Sequence, residues 1–319
     1  MNENDIIGRI AQIFPRQKSN AIALALGDDA ALWQPRTGFE AILTCDWFLE
    51  GSHFLREKHP AEAVGWKCLA RAVSDIAAMG GVPRCFLLSV ALPASLAGRW
   101  FDGFLRGLKR ASTKLRCELA GGDTTRQERV LINVTVIGDV RKRRAVLRSG
   151  ARPSDVLFVS GRLGEADAGL HELRRRKSGV RVMNPRVHKH LYPMPRLALG
   201  QWLAEQRLAT AMMDLSDGLS SDLPRLCAAS GVGARVDIDS LPTGPRGDRT
   251  QARRLALNGG DDYELLFTVA TKNVKRLPRT YKGVKLTRIG EITRAKCMVT
   301  VQDGVCRELK AGGWDPFRK

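Results

Sequence analysis

The sequence has no apolar run of the roughly 20 residues that a helix needs to cross a lipid bilayer. Its longest candidate, Cys85–Leu92, is interrupted by Ser89 and ends at Pro93. The seven cysteines include no Cys-x-x-Cys pair, which argues against a disulfide framework and against a zinc site. We therefore expect a cytoplasmic protein with reduced, mostly buried thiols and no membrane partner.

Several catalytic motifs are also missing from the sequence. It contains no Gly-x-x-x-x-Gly-Lys-Ser/Thr loop, no His-Arg-Asp and Asp-Phe-Gly motif pair, and no Gly-x-Ser-x-Gly motif. These absences exclude a Walker-type nucleotide site, a protein kinase and a hydrolase with a nucleophile elbow. If this chain handles phosphate, Mg²⁺ bound to carboxylates must take the place of the missing lysine.

Acidic residues are scarce, with 33 Asp and Glu against 52 Lys and Arg, which gives a formal net charge of +19. The basic residues are dispersed, apart from two dense runs at Arg141–Arg144 and Arg174–Lys177. Neither run contains the interleaved aromatic residues that a base-stacking groove needs. We interpret the charge as a solvated basic surface and expect no nucleic-acid partner. Polyanion binding stays open as an alternative.

The length of 319 residues and the 44% apolar fraction predict two domains, each with its own core. The basic run at Arg141–Arg144, followed by Ala145–Asp155, is typical of a surface crossing between two halves. We therefore predict an N-terminal domain over residues 1–140 and a C-terminal domain over residues 141–319.

Strand-like apolar runs alternate with helical patterns along the whole chain, which predicts a mixed α/β fold. The Pro-rich segment Asn184–Pro195, which includes His188 and His190, is expected to be a surface loop. The predicted strands are Ala41–Cys45, Cys85–Leu92, Val130–Ile137, Val156–Ser160, Ala234–Ile238, Tyr263–Ala270 and Val284–Ile289. The predicted helices are Ala61–Met79, Leu96–Leu115, Gly164–Arg175, Pro195–Glu205 and Gly218–Ala229.

The few acids are concentrated in short motifs beside Gly, Ser or Thr, at the ends of apolar segments where we expect loops. Mg²⁺ takes oxygen ligands in octahedral geometry, commonly one or two carboxylates with substrate phosphates. Glycine lets backbone N–H groups approach a phosphate, and a helix start attracts one. Each motif alone is also typical of a turn or a helix cap, but together they indicate a magnesium and phosphate site. The motifs are Gly27-Asp28-Asp29, Thr44-Cys45-Asp46, Ser74-Asp75, Gly121–Thr125, Asp214–Gly218 and Gly259–Glu264.

These motifs, in this order, resemble the thiamine-monophosphate kinase family, which belongs to the ATP-binding superfamily of aminoimidazole ribonucleotide synthetase. The resemblance extends from about Gly27 to Trp314. It is carried by GDDAAL (27–32), the Asp46–Phe54 segment, SDIAAMG (74–80), GGDTTR (121–126), LRSGARPSD (147–155), DLSDGL (214–219) and GGDDYELLF (259–267).

The resemblance implies a two-domain α/β (α+β) fold like that of aminoimidazole ribonucleotide synthetase. In it an N-terminal α/β domain pairs its sheet in a homodimer, and a second α/β domain follows. It also implies ATP-dependent phosphorylation of thiamine monophosphate to thiamine diphosphate, with several Mg²⁺ ions and with ATP as co-substrate.

The resemblance further implies a role for individual residues. The implied magnesium positions are Asp29, Thr44, Cys45 (through its backbone carbonyl), Asp46, Asp75, Asp123, Asp214 and Asp217. The implied nucleotide contacts are Gly122, Asp123, Arg148 and Ser216, and the implied substrate contacts are His53, Asp261 and Trp314. Asp75, Asp217 and Arg148 are the positions expected to carry catalysis, and Trp314 suits a cation–π contact with the substrate's thiazolium ring.

The chain departs from the family pattern at three places that affect substrate affinity more than reaction type. Ala72 and Val73 stand where the family usually has Asn-Leu, Cys45 stands where it usually has Thr or Ser, and Asp261 stands where it often has Glu.

Two alternatives stay open. One is another enzyme of the superfamily with an amide or selenide acceptor, although residues 1–26 contain no cysteine for selenide chemistry. The other is a non-catalytic, basic polyanion-binding protein.

Overall fold

The computed structural model describes residues 3–14, 22–24, 30–175, 184–244 and 248–317. The chain divides into two compact units. The first extends to Ile76 and resumes over Gly81–Arg143, and the second contains Ala77–Gly80, Arg144–Arg175 and the described residues from 184 onward. Within the described ranges, no helix is long and apolar enough to span a membrane.

The first unit is built on a four-stranded sheet. Its helices are α1 (Glu3–Ile13), α2 (Ala61–Ala78) and α3 (Arg99–Leu115), and its strands are β1 (Ile22–Leu24), β2 (Leu32–Trp33), β3 (Phe39–Leu49), β4 (Val82–Leu92), β5 (Glu118–Arg126) and β6 (Leu131–Arg141). The strand order is β3-β6-β4-β5, in which only β4 and β5 run parallel, while β1 and β2 form a separate pair.

The two faces of this sheet differ in burial. Along β3, Ile42 and Phe48 are buried, whereas Leu43 and Trp47 are 70% and 56% exposed. This is the two-residue alternation of a strand with one covered face. Helices α2 and α3 pack closely, because a Cβ on Gly107 would lie 1.9 Å from the Glu62 carbonyl oxygen. The face that carries Leu43 and Trp47 is the open face of the sheet.

The second unit holds a larger sheet with cores on both sides. Its helices are α4 (Glu165–Arg175), α5 (Pro185–Leu191), α6 (Leu197–Glu205), α7 (Leu219–Ser230) and α8 (Arg249–Asn258). Its strands are β7 (Val156–Ser160), β8 (Ala209–Leu215), β9 (Gly233–Asp237), β10 (Glu264–Val269), β11 (Thr280–Tyr281), β12 (Val284–Thr293), β13 (Met298–Gln302) and β14 (Val305–Glu308). Strand order is β14-β13-β9-β12-β7-β10-β8, with β11 on β12.

Central strand β7 shows how the two cores divide. Leu157 and Val159 belong to the core that includes α7, whereas Val156 and Phe158 belong to the core that includes α6. A strand buried on both faces is a continuous apolar run, and for this reason the sequence pattern predicted β7 with its observed bounds.

The mixed α/β fold predicted from the sequence is confirmed, and each predicted strand and helix has an observed counterpart. The loop predicted over Asn184–Pro195 is wrong in part. Helix α5 begins there because Asn184 caps it, accepting a hydrogen bond from the Arg186 N–H, and Pro185 occupies the first turn.

The expectation that all six acidic motifs lie at loop ends is also wrong. Thr44-Cys45-Asp46 lies within β3, Ser74-Asp75 within α2, and Gly121–Thr125 within β5. The two glycines of Gly121–Thr125 are compatible with a strand because β5 is at the sheet edge. A Cβ on Gly122 would lie 1.9 Å from the Leu88 carbonyl oxygen, so the approach of β4 requires glycine there.

Candidate active site

In the first unit, three of the predicted site residues meet on the helix-covered face of the sheet. Thr44 and Asp46 are two residues apart on β3 and therefore point to the same side. The Thr44 hydroxyl donates a short hydrogen bond to Asp75 Oδ2 on α2. Asp46 Oδ1 lies 3.9 Å from the Arg71 Nη2, one helical turn before Asp75. The result is a cluster of oxygen donors with an arginine beside it.

Two other predicted residues lie on the open face. Cys45 directs its sulfur to Asn133, 3.3 Å from the Asn133 Oδ1, so its side chain points away from Thr44 and Asp46. Asp123 is exposed on β5, in the same row of the sheet as Ser89, Asn133 and Trp47. Three strand spacings separate β5 from β3, or roughly 14 Å. The structure therefore does not bring Asp123 next to Asp46 within one protomer.

His53 lies just beyond the end of β3. Its Nδ1 accepts a hydrogen bond from the Leu49 N–H at 3.0 Å, and its ring centre is 5.9 Å from that of Phe48. Because Nδ1 acts as the acceptor, the neutral ring carries its proton on Nε2. His53 is therefore oriented by the backbone, with Nε2 as its hydrogen-bond donor.

In the second unit, the turn between β8 and α7 holds Ser216 and Asp217. Buried Asp222 shapes this turn, because its Oδ2 accepts the N–H groups of Ser216 and Asp217 at 3.1 and 3.0 Å. Desolvation, together with the nearby charge of Asp217, raises the pKa of Asp222 to about 6. Arg225 Nη1 contacts Asp217 Oδ2 at 2.5 Å and Asp222 Oδ1 at 2.7 Å. Asp217 is thus held at the start of a helix beside a fixed positive charge.

The loop before β10 brings Asp261 to the same place. Its N–H donates to the Ser216 carbonyl at 2.8 Å, and it adopts a left-handed φ of +68°. Tyr263 Oη donates to Asp261 Oδ1 at 2.8 Å, and the buried His190 Nδ1 lies 3.6 Å from Asp261 Oδ2. The Asp261 carboxylate is therefore oriented from both sides.

Trp314 completes this group of residues. The backbone N–H of Trp314 donates to the Asp217 backbone carbonyl at 2.9 Å, and the residue remains 46% exposed. Ser216, Asp217, Asp261 and Trp314, which are far apart in sequence, thus form one cluster in the second unit.

Other acids of the same motifs serve the fold. Asp262 accepts the N–H groups of Gly164 and Ala166 at 2.5 and 3.2 Å, and burial raises its pKa to about 6 against the opposing effect of Lys189. The fully buried Glu264 accepts hydrogen bonds from Ser160 at 2.6 Å and from Arg196. The magnesium and phosphate site that the motifs indicate therefore does not include Asp262 and Glu264, whose oxygens accept hydrogen bonds within the second unit.

The remaining predicted residues are Asp214, Arg148 and Asp29. Asp214 lies on β8 opposite Leu265 and is only 4% exposed. The Arg148 carbonyl accepts a hydrogen bond from Ser230 Oγ at 2.9 Å, at the opposite end of the 12-residue α7 from Asp217. That helix is about 18 Å long, so the structure does not bring the Arg148 backbone to Asp217. Asp29 lies outside the described residues.

Arg71, Arg225 and His190 contact predicted site residues in the structure, but the sequence motifs did not identify them. The i, i+4 spacing of Arg71 and Asp75 was visible in the sequence, but the contact of Arg71 with Asp46 depends on how α2 packs on β3.

The donor set suits magnesium only together with a phosphate-bearing ligand. In the part of the chain that the structure describes, no three His, Cys, Asp or Glu side chains are close enough to hold a metal by themselves. The first unit offers Thr44, Asp46 and Asp75, and the second offers Asp217. One or two carboxylates completed by phosphate oxygens and water is the usual arrangement for Mg²⁺, so these residues fit that ion.

Two family models together match most of the chain. Residues 27–140 match the AIR synthase related protein N-terminal domain, and residues 152–302 match the AIR synthase related protein C-terminal domain. The chain is 36% identical over 319 residues to the thiamine-monophosphate kinase of Escherichia coli strain K12, covering 97% of each chain.

Solved structures agree with the sequence comparison. The crystal structure of the thiamine-monophosphate kinase of Stenotrophomonas maltophilia K279a matches with a TM-score of 0.82 at 35% identity, covering 94% of this chain and 95% of that one. A structure described as AaThiL complexed with AMPPCP and TMP matches with a TM-score of 0.78 at 32% identity, covering 99% and 97%.

Proposed function

Because this chain belongs to the thiamine-monophosphate kinase family of AIR synthase-related proteins, we propose that it phosphorylates thiamine monophosphate to thiamine diphosphate with ATP. The observation that carries the proposal is full-length similarity to kinases of this name, one of them solved with an ATP analogue and TMP. The clusters around Asp75 and Asp217 supply the oxygen donors that such a reaction needs.

We propose that carboxylates of the predicted magnesium set bind Mg²⁺ together with the phosphates of ATP. When bound, Mg²⁺ supplies positive charge that reduces the repulsion between the two phosphate-bearing substrates. Thr44 and Asp75 support this assignment because their side chains already share a hydrogen bond, which fixes both oxygens. The proposed magnesium residues are Asp29, Thr44, Cys45 through its carbonyl, Asp46, Asp75, Asp123, Asp214 and Asp217.

The chain's own residues have only to bind and orient the reactants. The acceptor is a phosphate monoester whose second pKa is near 6, so at neutral pH it is already an anion and needs no general base. We assign Gly122, Asp123, Arg148 and Ser216 to the nucleotide. Gly122 lies on β5, the edge strand of the first unit's sheet, and the Arg148 guanidinium would add a fixed positive charge.

We assign His53, Asp261 and Trp314 to thiamine monophosphate. The thiazolium ring is cationic and aromatic, so the exposed indole of Trp314 suits one of its faces. The Asp261 carboxylate supplies a negative charge that Tyr263 and His190 hold in place. The neutral imidazole of His53 offers its Nε2 proton to a phosphate oxygen.

We further propose that the chain acts as a homodimer in the cytoplasm. The open face of the first unit's sheet carries Leu43 and Trp47, which are 70% and 56% exposed. A second copy presenting the same face would cover these side chains without any change of fold. All seven cysteines are free thiols, in agreement with a reducing compartment.

The proposal is tested by two conservative substitutions. Asp75→Asn and Asp217→Asn keep the side-chain shape but remove the negative charge, so each should lower the rate of Mg²⁺-dependent thiamine diphosphate formation at least 100-fold. Asp239→Asn, in the second unit outside the site, is the matched control and should keep wild-type turnover. Undiminished turnover in Asp75→Asn or Asp217→Asn would contradict the metal assignment.

A further inference from the structure

Arg71 contacts the proposed magnesium carboxylate Asp46, although neither the motifs nor the proposed mechanism uses this arginine. It lies on α2, four residues before Asp75, so both side chains leave the same face of the helix. Its Nη2 is 3.9 Å from Asp46 Oδ1 on β3. The guanidinium therefore lies beside the acidic cluster of the first unit.

The position of Arg71 is held by packing. Its side chain is only 13% exposed, and its Cζ lies 5.2 Å from the centre of the buried Phe48 ring. An aromatic face attracts a guanidinium, and the long stem is covered by its surroundings. The charge is also permanent, because arginine keeps its proton at any pH the protein meets.

We propose that Arg71 is a built-in counter-charge of this active site, which weakens the binding of free divalent ions and favours the binding of nucleotide phosphate. The inference rests on the proposed magnesium role of Asp46 and Asp75. The Asp46 and Asp75 carboxylates together carry a formal charge of −2, and the Arg71 guanidinium reduces it to −1. A divalent ion approaching Asp46 therefore meets a positive neighbour, whereas a polyphosphate meets less repulsion than two bare carboxylates would give.

The test uses two measurements that should change in opposite directions. In Arg71→Met, which keeps the length of the stem and removes the charge, the affinity of the nucleotide-free protein for Mn²⁺ should rise at least tenfold, as measured by electron paramagnetic resonance. The affinity for AMPPCP in the presence of EDTA should fall at least tenfold, as measured by calorimetry. Damage to the fold would weaken both affinities, so only a charge effect gives opposite signs.

Three further variants sharpen the result. Arg71→Lys keeps the charge and should stay within threefold of wild type in both measurements. Adding Asp46→Asn to Arg71→Met should abolish the gain in Mn²⁺ affinity. Arg110→Met removes an exposed arginine of the same unit, stacked at 5.8 Å from the Trp66 ring, and should leave both affinities unchanged.

The outcomes separate the inference from the proposed function. An unchanged or lower Mn²⁺ affinity in Arg71→Met overturns the inference, even if the wild-type protein phosphorylates thiamine monophosphate. A tenfold gain in Mn²⁺ affinity in a protein without that activity overturns the proposed function and leaves the counter-charge in place. Failure of both proteins to bind Mn²⁺ overturns the inference and the metal assignment together.

Discussion

Replacing Glu264 by Gln should destabilise the second unit strongly, although this acid belongs to one of the motifs that indicate magnesium. The Glu264 side chain is fully buried and accepts hydrogen bonds from Ser160 Oγ at 2.6 Å and from Arg196 Nε and Nη2 at 2.6 and 2.5 Å. Lys189 Nζ lies 3.5 Å away. Two cations therefore depend on this carboxylate.

The magnitude follows from these contacts. Glutamine keeps one acceptor oxygen but turns an N–H₂ group toward the guanidinium, so one charge-assisted hydrogen bond is lost and Arg196 is left without its buried counter-ion. Breaking a buried ion pair by removing one partner costs about 3–5 kcal/mol. Replacing Arg196 by Met in the same chain should recover about 2 kcal/mol of that loss, because the unpaired charge is then gone.

The assay must report on the sheet of the second unit, because two units need not unfold together. Amide hydrogen exchange of β7 and β10 gives the local free energy of opening. The control is Glu291→Gln, whose side chain is 43% exposed and pairs with Arg235 at 3.5 Å. It should change the free energy by less than about 1 kcal/mol. If Glu264→Gln also stays within that limit, the assignment of this acid to the fold is refuted.

Three further predictions concern other parts of the molecule. Asp139→Asn should cost about 3 kcal/mol at pH 7, because Asp139 accepts paired hydrogen bonds from Arg36 and Arg84. Although desolvation raises the pKa of Asp139, these arginines outweigh it and lower the pKa below 3.8. The stabilisation by the Asp139 carboxylate is therefore present above its unfolded-state pKa and is lost as pH falls through its folded-state pKa. In urea unfolding, the difference in free energy of unfolding between wild type and Asp139→Asn should accordingly shrink below about pH 4; a difference that does not depend on pH would contradict this. Trp47→Glu should raise the dimer dissociation constant about 100-fold in analytical ultracentrifugation, because a carboxylate would be buried between two sheets; an unchanged constant would remove the open face as the interface. Trp314→Ala should raise KM for thiamine monophosphate about fivefold with little change in kcat, since an exposed cation–π contact contributes about 1 kcal/mol; an unchanged KM would assign the indole to packing.

The sequence predicted an element well where apolar residues recur with the period of one helix or strand face, or fill a strand continuously. Strand β7 and helix α2 follow from apolar periodicity because neighbouring elements cover one or both of their faces uniformly. Strand β5 did not follow, because its Gly-Gly-Asp-Thr-Thr composition is typical of a turn, and its conformation is imposed by pairing with β4. Helix α5 was missed because Pro185 reads as a breaker when its position in the first turn is unknown.

For a similar reason, the sequence could not separate the acids of the candidate site from the acids that stabilise the fold. Asp261 and Asp262 are neighbours, yet the first is oriented toward the candidate site and the second is buried against the start of α4. Strand β10 is buried on both faces, so the sequence pattern around it does not indicate which acids point into a core. Arg71 near Asp46 likewise depends on helix packing that local sequence does not encode.

The central claim is that this chain transfers phosphate from ATP to thiamine monophosphate, and phosphorus NMR of the reaction mixture tests it most directly. With ATP, Mg²⁺ and thiamine monophosphate, the account predicts the resonances of thiamine diphosphate and ADP in equal amounts, and at least 100-fold slower product formation with Asp217→Asn. ATP consumption with an amide-bearing ribonucleotide, but none with thiamine monophosphate, would contradict the account and favour another activity of the superfamily.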